Sequence, residues 1–129
     1  MSTAATNAVT LPFPPSLNHA LRHVGSRVLV SRAAREYKRG AETIALSQGM
    51  RPFDGQLAVI LYLYRPARRG DIDNYAKVLF DALKGIAWHD DSQVKEMHTY
   101  LRDDKRNPRA EIIVTVVPDP DQQHTEKGD

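Results

Sequence analysis

The chain has 129 residues, enough for one domain with its own core, and its hydrophobic (41%) and charged (26%) fractions are ordinary for a globular protein. It contains no cysteine, which excludes disulfide bonds and thiolate metal sites, and its net charge of +2 excludes no class of partner. The start MSTAATNAVT does not resemble a signal peptide, and the apolar run LAVILYLY is too short to cross a bilayer. We therefore expect a cytoplasmic protein that does not associate with a membrane.

The N-terminal half is predicted to contain two short strands and one helix. The first strand covers residues 8–13, AVTLPF, and ends at prolines. A loop with a turn at Gly25 follows, and RVLVS, residues 27–31, forms the second strand. Ser31 is a suitable N-cap for a helix over residues 32–48, because apolar side chains recur there at helical spacing.

The C-terminal half is predicted to contain a helix between strands. QLAVILYLY, residues 56–64, is rich in β-branched and aromatic residues, which predicts a central strand buried on both faces. DIDNYAKVLFDALKG is predicted to be a helix that begins near Asp71 or Asp73 and stops at Gly85. VKEMHTYLR and RAEIIVTVV are the last two strands, and the turn DDKRNP joins them.

These elements predict an α+β fold. We expect a small mixed β-sheet with two α-helices packed on one face, in the order β-β-α-β-α-β-β. A single domain covers residues 1–117, and the polar segment PDPDQQHTEKGD, residues 118–129, is predicted to be a disordered tail. The sequence has no phosphate-binding loop and no dinucleotide fingerprint, so we expect no nucleotide cofactor.

Two pairs of aspartates flank the second predicted helix. Asp71 and Asp73 stand at its start, and Asp90 and Asp91 follow it. If the two ends of this unit meet, the carboxylates repel one another unless a cation compensates their charge. Mg²⁺ takes oxygen ligands of this kind, and such a metal can activate water against a phosphodiester. Lys77 lies one helical turn beyond Asp73 and is placed to contact a phosphate.

The same residues also have a purely structural interpretation. Asp71 and Asp73 are favourable at a helix N-terminus, because they complement the helix dipole. Asp73, Lys77 and Asp81 have the spacing of a surface ion-pair ladder. The spacing alone leaves both interpretations open.

Basic residues are concentrated upstream of the acidic segment. They outnumber acidic residues between positions 21 and 51, and Arg68 and Arg69 directly precede the first aspartate pair. A basic surface around an acidic pocket suggests a polyanionic partner, whereas a solvated helix face is the alternative interpretation.

The stretch RRGDIDNYAKVLFDALKGIAWHDDSQV resembles the RusA-type Holliday junction resolvases. It contains that family's basic run, D-[LI]-D-N, a lysine one turn later, F-D-A-L and D-D-[SA]-Q-[VI]. The opening LPFPPSLNHALRH is similar to the family's LP-[FW]-PPS-x-N, so the resemblance spans about residues 8 to 117. The chain departs from the pattern at Gly70 and in the short connection KGIAW, which leaves the local loop shape open.

The resemblance implies a homodimeric endonuclease that resolves four-way DNA junctions by paired nicks, in recombination and repair. It implies Mg²⁺ as cofactor, with Mn²⁺ as a substitute, and a bacterial, prophage or phage origin. Carried over by position, the metal ligands and catalytic carboxylates are Asp71, Asp73 and Asp91, with Lys77 as a catalytic lysine and Asp90 as a further ligand or supporting group. The predicted DNA-binding residues are Asn18, Arg22, Arg27, Arg32, Arg68, Arg69 and Lys77.

Two other functions are weighed against this one: a non-catalytic basic module that binds nucleic acid, and a nuclease for flaps or other branched DNA. Zinc binding by His19 and His23 is not favoured, because the loop offers no third ligand. His89 is predicted to be an exposed loop residue, and Trp88 a core or dimer residue rather than a base-stacking one.

Overall fold

The computed structural model describes residues 6–16, 21–24, 27–30, 32–68 and 72–118. These described residues form six strands, two helices and a short 3₁₀ turn, Asp91–Gln93. These are β1 (Thr6–Leu11), β2 (Leu21–Val24), β3 (Arg27–Val30), α1 (Arg32–Ser47), β4 (Leu57–Arg65), α2 (Ile72–Leu83), β5 (Val94–Asp103) and β6 (Arg109–Val116). The α+β class is confirmed, with one strand more than the sequence predicted. Apart from Pro118, the segment predicted to be a disordered tail lies outside the described residues.

The additional strand is β2. Residues 21–24 were predicted to lie in a loop, and this prediction is wrong, because they pair antiparallel with β3 in a separate two-stranded sheet. A strand of four residues is too short to show a hydrophobic period, and its conformation depends on the partner strand.

The main sheet is mixed and has the strand order β1-β6-β4-β5. β4 pairs parallel with β5, and the other neighbours are antiparallel. The parallel pair requires a crossover, and α2 provides it. In consequence, Asp73 at the start of α2 and the pair Asp90–Asp91 before β5 belong to one β-α-β unit.

One face of the sheet carries the core. Leu57, Val59, Leu61 and Leu63 of β4 are fully buried, and they alternate with half-buried residues. The prediction that β4 is buried on both faces is therefore wrong. On the second face, aromatic rings partly cover one another: Tyr62 stacks on Tyr100 with ring centroids 5.1 Å apart.

Both helices pack on the buried face, as predicted. Ala41 and Ala45 of α1 and Leu79 and Leu83 of α2 belong to the same core cluster as β4 and β6. α2 ends at Leu83, and Gly85 follows with φ +86°, a left-handed conformation that glycine adopts without strain. Among the described residues, no helix is long and apolar enough to span a membrane.

Candidate active site

Asp73 occupies the first turn of α2, where a carboxylate complements the positive end of the helix dipole. Its side chain is exposed, and no described residue engages it in a hydrogen bond or an ion pair. Among the described residues, nothing occupies either oxygen. Asp71, Arg69 and Asn18, which the sequence also implicates, lie outside the described residues.

A groove of about 380 Å³ runs between α2 and the edge strand β5. Asp73, Ala76, Lys77 and Phe80 line it from the helix, and Met97 lines it from β5. Met97 is 45% exposed, so the groove is accessible from solvent. The predicted carboxylate and the predicted lysine thus face one common space.

Lys77 donates to Asp81 at 3.0 Å and forms no ion pair with Asp73. Both members of the pair are more than half exposed, at 61% and 52%. An exposed pair of this kind contributes little to stability, so the lysine can leave Asp81 for a phosphate at small cost.

Asp91 begins the 3₁₀ turn and is tied to the core by Trp88. The indole N–H of Trp88 donates to Oδ1 of Asp91 at 2.8 Å. Trp88 is completely buried, and its ring packs against that of Phe80 with centroids 5.1 Å apart. Since Phe80 also lines the groove, it connects the surroundings of Asp73 with those of Asp91.

Gln93 holds the turn that carries the second aspartate pair. Its side-chain oxygen accepts from the N–H groups of His89 and Asp90, at 2.8 and 2.9 Å. Its amide nitrogen donates to the carbonyl oxygens of Phe53 and Gly55, at 2.8 and 2.9 Å. One half-buried amide therefore fastens both sides of the turn.

Asp90 caps this turn. Its carboxylate accepts hydrogen bonds from the hydroxyl and the backbone N–H of Ser92. These bonds, with a smaller contribution from Lys84 at 4.0 Å, lower the pKa of Asp90. Both hydrogen bonds end on Oδ2 of Asp90, and Lys84 lies 4.0 Å from its Oδ1, whereas Oδ2 of Asp91 accepts no hydrogen bond from a described residue.

The described residues contain no cluster of three acidic or histidine side chains that could hold a metal ion. Asp73 lies in the first turn of α2 and Asp91 lies beyond its C-terminal end. A three-carboxylate site built on them requires Asp71, which lies outside the described residues. The available donors, two oxygens of Asp73 and one of Asp91, are hard oxygen ligands of the kind that suits Mg²⁺.

A family model described as "Endodeoxyribonuclease RusA" matches residues 12–115, which include all of this region. The chain belongs to the RusA endodeoxyribonuclease family. It is 32% identical over 114 residues to "Crossover junction endodeoxyribonuclease RusA" of Escherichia coli (strain K12), covering 85% of this chain and 94% of the relative. The corresponding proteins of Shigella sonnei (strain Ss046) and Enterobacteria phage 82 give the same identity and coverage.

The basic residues predicted for this RusA-family chain occupy several elements. Arg68 donates from Nε to Asp103 at 3.3 Å, and Arg65 donates to the other oxygen of the same carboxylate. Arg32 pairs with Glu36 at 2.7 Å at the start of α1. Arg22 lies on β2 and Arg27 on β3.

Sequence reasoning missed the two interactions that fix Asp91. The buried position predicted for Trp88 is confirmed, but its hydrogen bond to Asp91 was not foreseen. A signal for Gln93 existed, because an aspartate followed three residues later by glutamine is a capping-box spacing. His89 is exposed, as predicted, and lies 3.2 Å from a carboxylate oxygen of Asp54.

Proposed function

We propose that this RusA-family protein is a structure-specific endonuclease that resolves four-way DNA junctions by paired nicks. The observation that carries the proposal is the family match over residues 12–115, which contains the whole acidic segment. The match covers 94% of the length of these relatives, which are named crossover junction endodeoxyribonuclease.

Mg²⁺ is the proposed cofactor, with Mn²⁺ as a substitute, and Asp71, Asp73 and Asp91 are the proposed ligands. The oxygens of Asp73 and Asp91 that no described residue engages support this assignment. When bound, a cation of this kind would supply Lewis acidity to the phosphodiester and would favour deprotonation of the attacking water. Asp90, whose carboxylate is held by Ser92, contributes by fixing the turn or as a further ligand.

The protein's own polar and basic side chains bind and orient the DNA backbone. Lys77 leaves its exposed pair with Asp81 and contacts the phosphate that is cut. Other backbone phosphates are contacted by the group predicted from the sequence, which comprises Asn18, Arg22, Arg27, Arg32, Arg68 and Arg69. Attack by water leaves 5′-phosphate and 3′-hydroxyl ends.

Two symmetric cuts require two acidic centres, which a two-fold homodimer supplies, one for each strand. The proposed location is the cytoplasm of a bacterium, where the gene is chromosomal, prophage or phage in origin. The relatives include proteins of bacteria and of a phage, which supports this assignment.

The test separates binding from cutting. A synthetic four-way junction is incubated with the unmodified protein and with Asp73→Asn, with Mg²⁺, with Mn²⁺ and with a chelator, and binding and nicking are measured separately. We expect Asp73→Asn to bind the junction and lose nicking. Glu96→Gln, which removes an exposed carboxylate from β5, is the matched control and should nick normally.

The two other candidate functions predict different results in this experiment. A non-catalytic binding module would bind the junction and leave it uncut with either metal ion. A nuclease for other branched DNA would cut flaps faster than four-way junctions, so both substrates and linear duplex are compared.

A further inference from the structure

We propose that the indole N–H of Trp88 is a positioning group for the Asp91 carboxylate and thereby sets the affinity of the site for its divalent cation. This inference rests on the proposed function, since it assumes that Asp91 is a metal ligand. It assigns Trp88 a role beyond packing, and because the ring is completely buried, that role acts through Asp91.

The hydrogen bond is short, and the described part of the chain offers the donor no other partner. Nε1 of Trp88 lies 2.8 Å from Oδ1 of Asp91, and indole has a single N–H to donate. Trp88 is completely buried, so the donor is shielded from solvent while the bond is made. Losing this partner would leave a buried donor unsatisfied, so the bond is strongly favoured.

The position of the donor is fixed from several sides. The ring packs on Phe80 at 5.1 Å, and the carbonyl oxygen of Trp88 accepts from the N–H of Gly85. The neighbouring carbonyl of Ala87 accepts from the N–H of Phe53 at 2.8 Å. The indole therefore cannot turn without disturbing the core, and Oδ1 of Asp91 is held at a defined point.

The consequence for a metal ligand is direct. With Oδ1 held from the interior, Oδ2 of Asp91 is the oxygen left to approach a cation. A donor that orients a ligating carboxylate in this way reduces the loss of freedom on binding, and removing such a partner typically costs about 10–100-fold in metal affinity.

Trp88 is the only tryptophan of the chain, so replacing all tryptophan changes this position alone. β-(3-Benzothienyl)alanine keeps the bicyclic shape and substitutes sulfur for the N–H, whereas 4-fluorotryptophan keeps the N–H and serves as the control. Mn²⁺ binding is measured by calorimetry without DNA. We expect the Kd to rise by about 10–100-fold for the benzothienyl protein and to stay unchanged for the fluorinated one. Both proteins should be folded, and metal-free junction binding should be equal in both.

A second measurement uses the unmodified protein and does not depend on whether the substituted protein folds. Mg²⁺ should change the fluorescence of Trp88, and Asp91→Asn should abolish that change. If the unmodified protein binds Mn²⁺ while its indole emission is insensitive to saturating Mg²⁺, or if the benzothienyl protein binds Mn²⁺ equally tightly, the inference is overturned. If the unmodified protein neither binds Mn²⁺ nor nicks a junction, it is the proposed function that fails.

Discussion

The ammonium group of Lys38 on α1 donates a hydrogen bond to the carbonyl oxygen of Ala82 in the last turn of α2, at 2.8 Å. It also donates to the carbonyl oxygen of Lys84. These are carbonyl groups that a helix C-terminus leaves unpaired, and a cation there complements the helix dipole. Burial lowers the pKa of Lys38, and the nearby charges of Glu42 and Asp91 partly oppose that effect.

We expect Lys38→Met to lower the free energy of unfolding by about 1–3 kcal/mol, because two carbonyl oxygens lose their donor. Urea unfolding monitored by circular dichroism measures the change. Arg39→Met is the matched control: Arg39 is the adjacent residue on α1 and is exposed. An equal loss for the two variants would contradict the capping role.

Asp103 should contribute to the stability of the protein against acid. Its carboxylate lies between Arg65 and Arg68, and the hydrogen bond from Arg65 is the main cause of its lowered pKa. The ordinary pKa of an aspartate is 3.8, and folding lowers it for Asp103. The carboxylate therefore stabilises the fold at pH values above 3.8, and this contribution is lost as the pH falls through the lowered pKa of the folded state.

Asp103→Asn is therefore expected to destabilise the protein at neutral pH and to reduce the further loss of stability below pH 3.8. Urea unfolding at neutral pH and at several acid pH values tests this expectation. Glu96→Gln, on the same strand and exposed, should leave the acid dependence as it is in the unmodified protein. Parallel pH profiles for Asp103→Asn and the unmodified protein would disprove it.

Gln93→Glu should loosen the turn that carries Asp90 and Asp91. The substitution keeps the shape but removes the two N–H donors to the carbonyl oxygens of Phe53 and Gly55. We expect a loss of about 1–3 kcal/mol in the free energy of unfolding and faster amide hydrogen exchange at His89 and Asp90.

Gln56→Glu makes the same chemical change nearby, on a side chain with no hydrogen bond to a described residue. It should leave both the free energy of unfolding and the amide exchange close to those of the unmodified protein. Unchanged exchange in Gln93→Glu would show that the turn is held by other contacts.

Two glycines should respond to alanine in opposite directions. Gly40 lies inside α1 with open space where the methyl group of an alanine would stand, so Gly40→Ala should raise the free energy of unfolding by about 0.5–1 kcal/mol. Gly85 also has open space, but its φ of +86° is unfavourable for alanine, so Gly85→Ala should lower it by about 1 kcal/mol. Thermal unfolding of the two variants measures these changes. A shift of the unfolding temperature in the same direction for both would contradict this expectation.

Most of the fold could be predicted from local patterns. The α2 helix has its apolar stripe, an acidic first turn and a stop at Gly85 in the sequence itself, and the structure has all of them. β2 could not be predicted, because its conformation depends on pairing with β3. The apolar run of β4 suggested burial on both faces, since a sequence does not show that Tyr62 and Tyr100 cover each other.

The residue types of the candidate site could be predicted from the sequence, whereas much of their arrangement could not. Asp73 and Lys77 share a groove because both lie on one side of α2, which helical spacing already indicates. The placement of Asp91 depends on Trp88 and Gln93, whose hydrogen bonds form only when the chain returns from α2 to β5. The convergence of Asp71, Asp73 and Asp91 stays a prediction.

The pairing of β1 with β6 brings distant parts of the chain side by side. Thr6 lies opposite Thr115, and their hydroxyl groups are 3.3 Å apart. A short linker could therefore join Thr6 to Pro118, and new ends could be opened between Lys105 and Arg106, which are both exposed. Such a circular permutant would keep every strand pair and leave the acidic segment on one uninterrupted stretch of polypeptide.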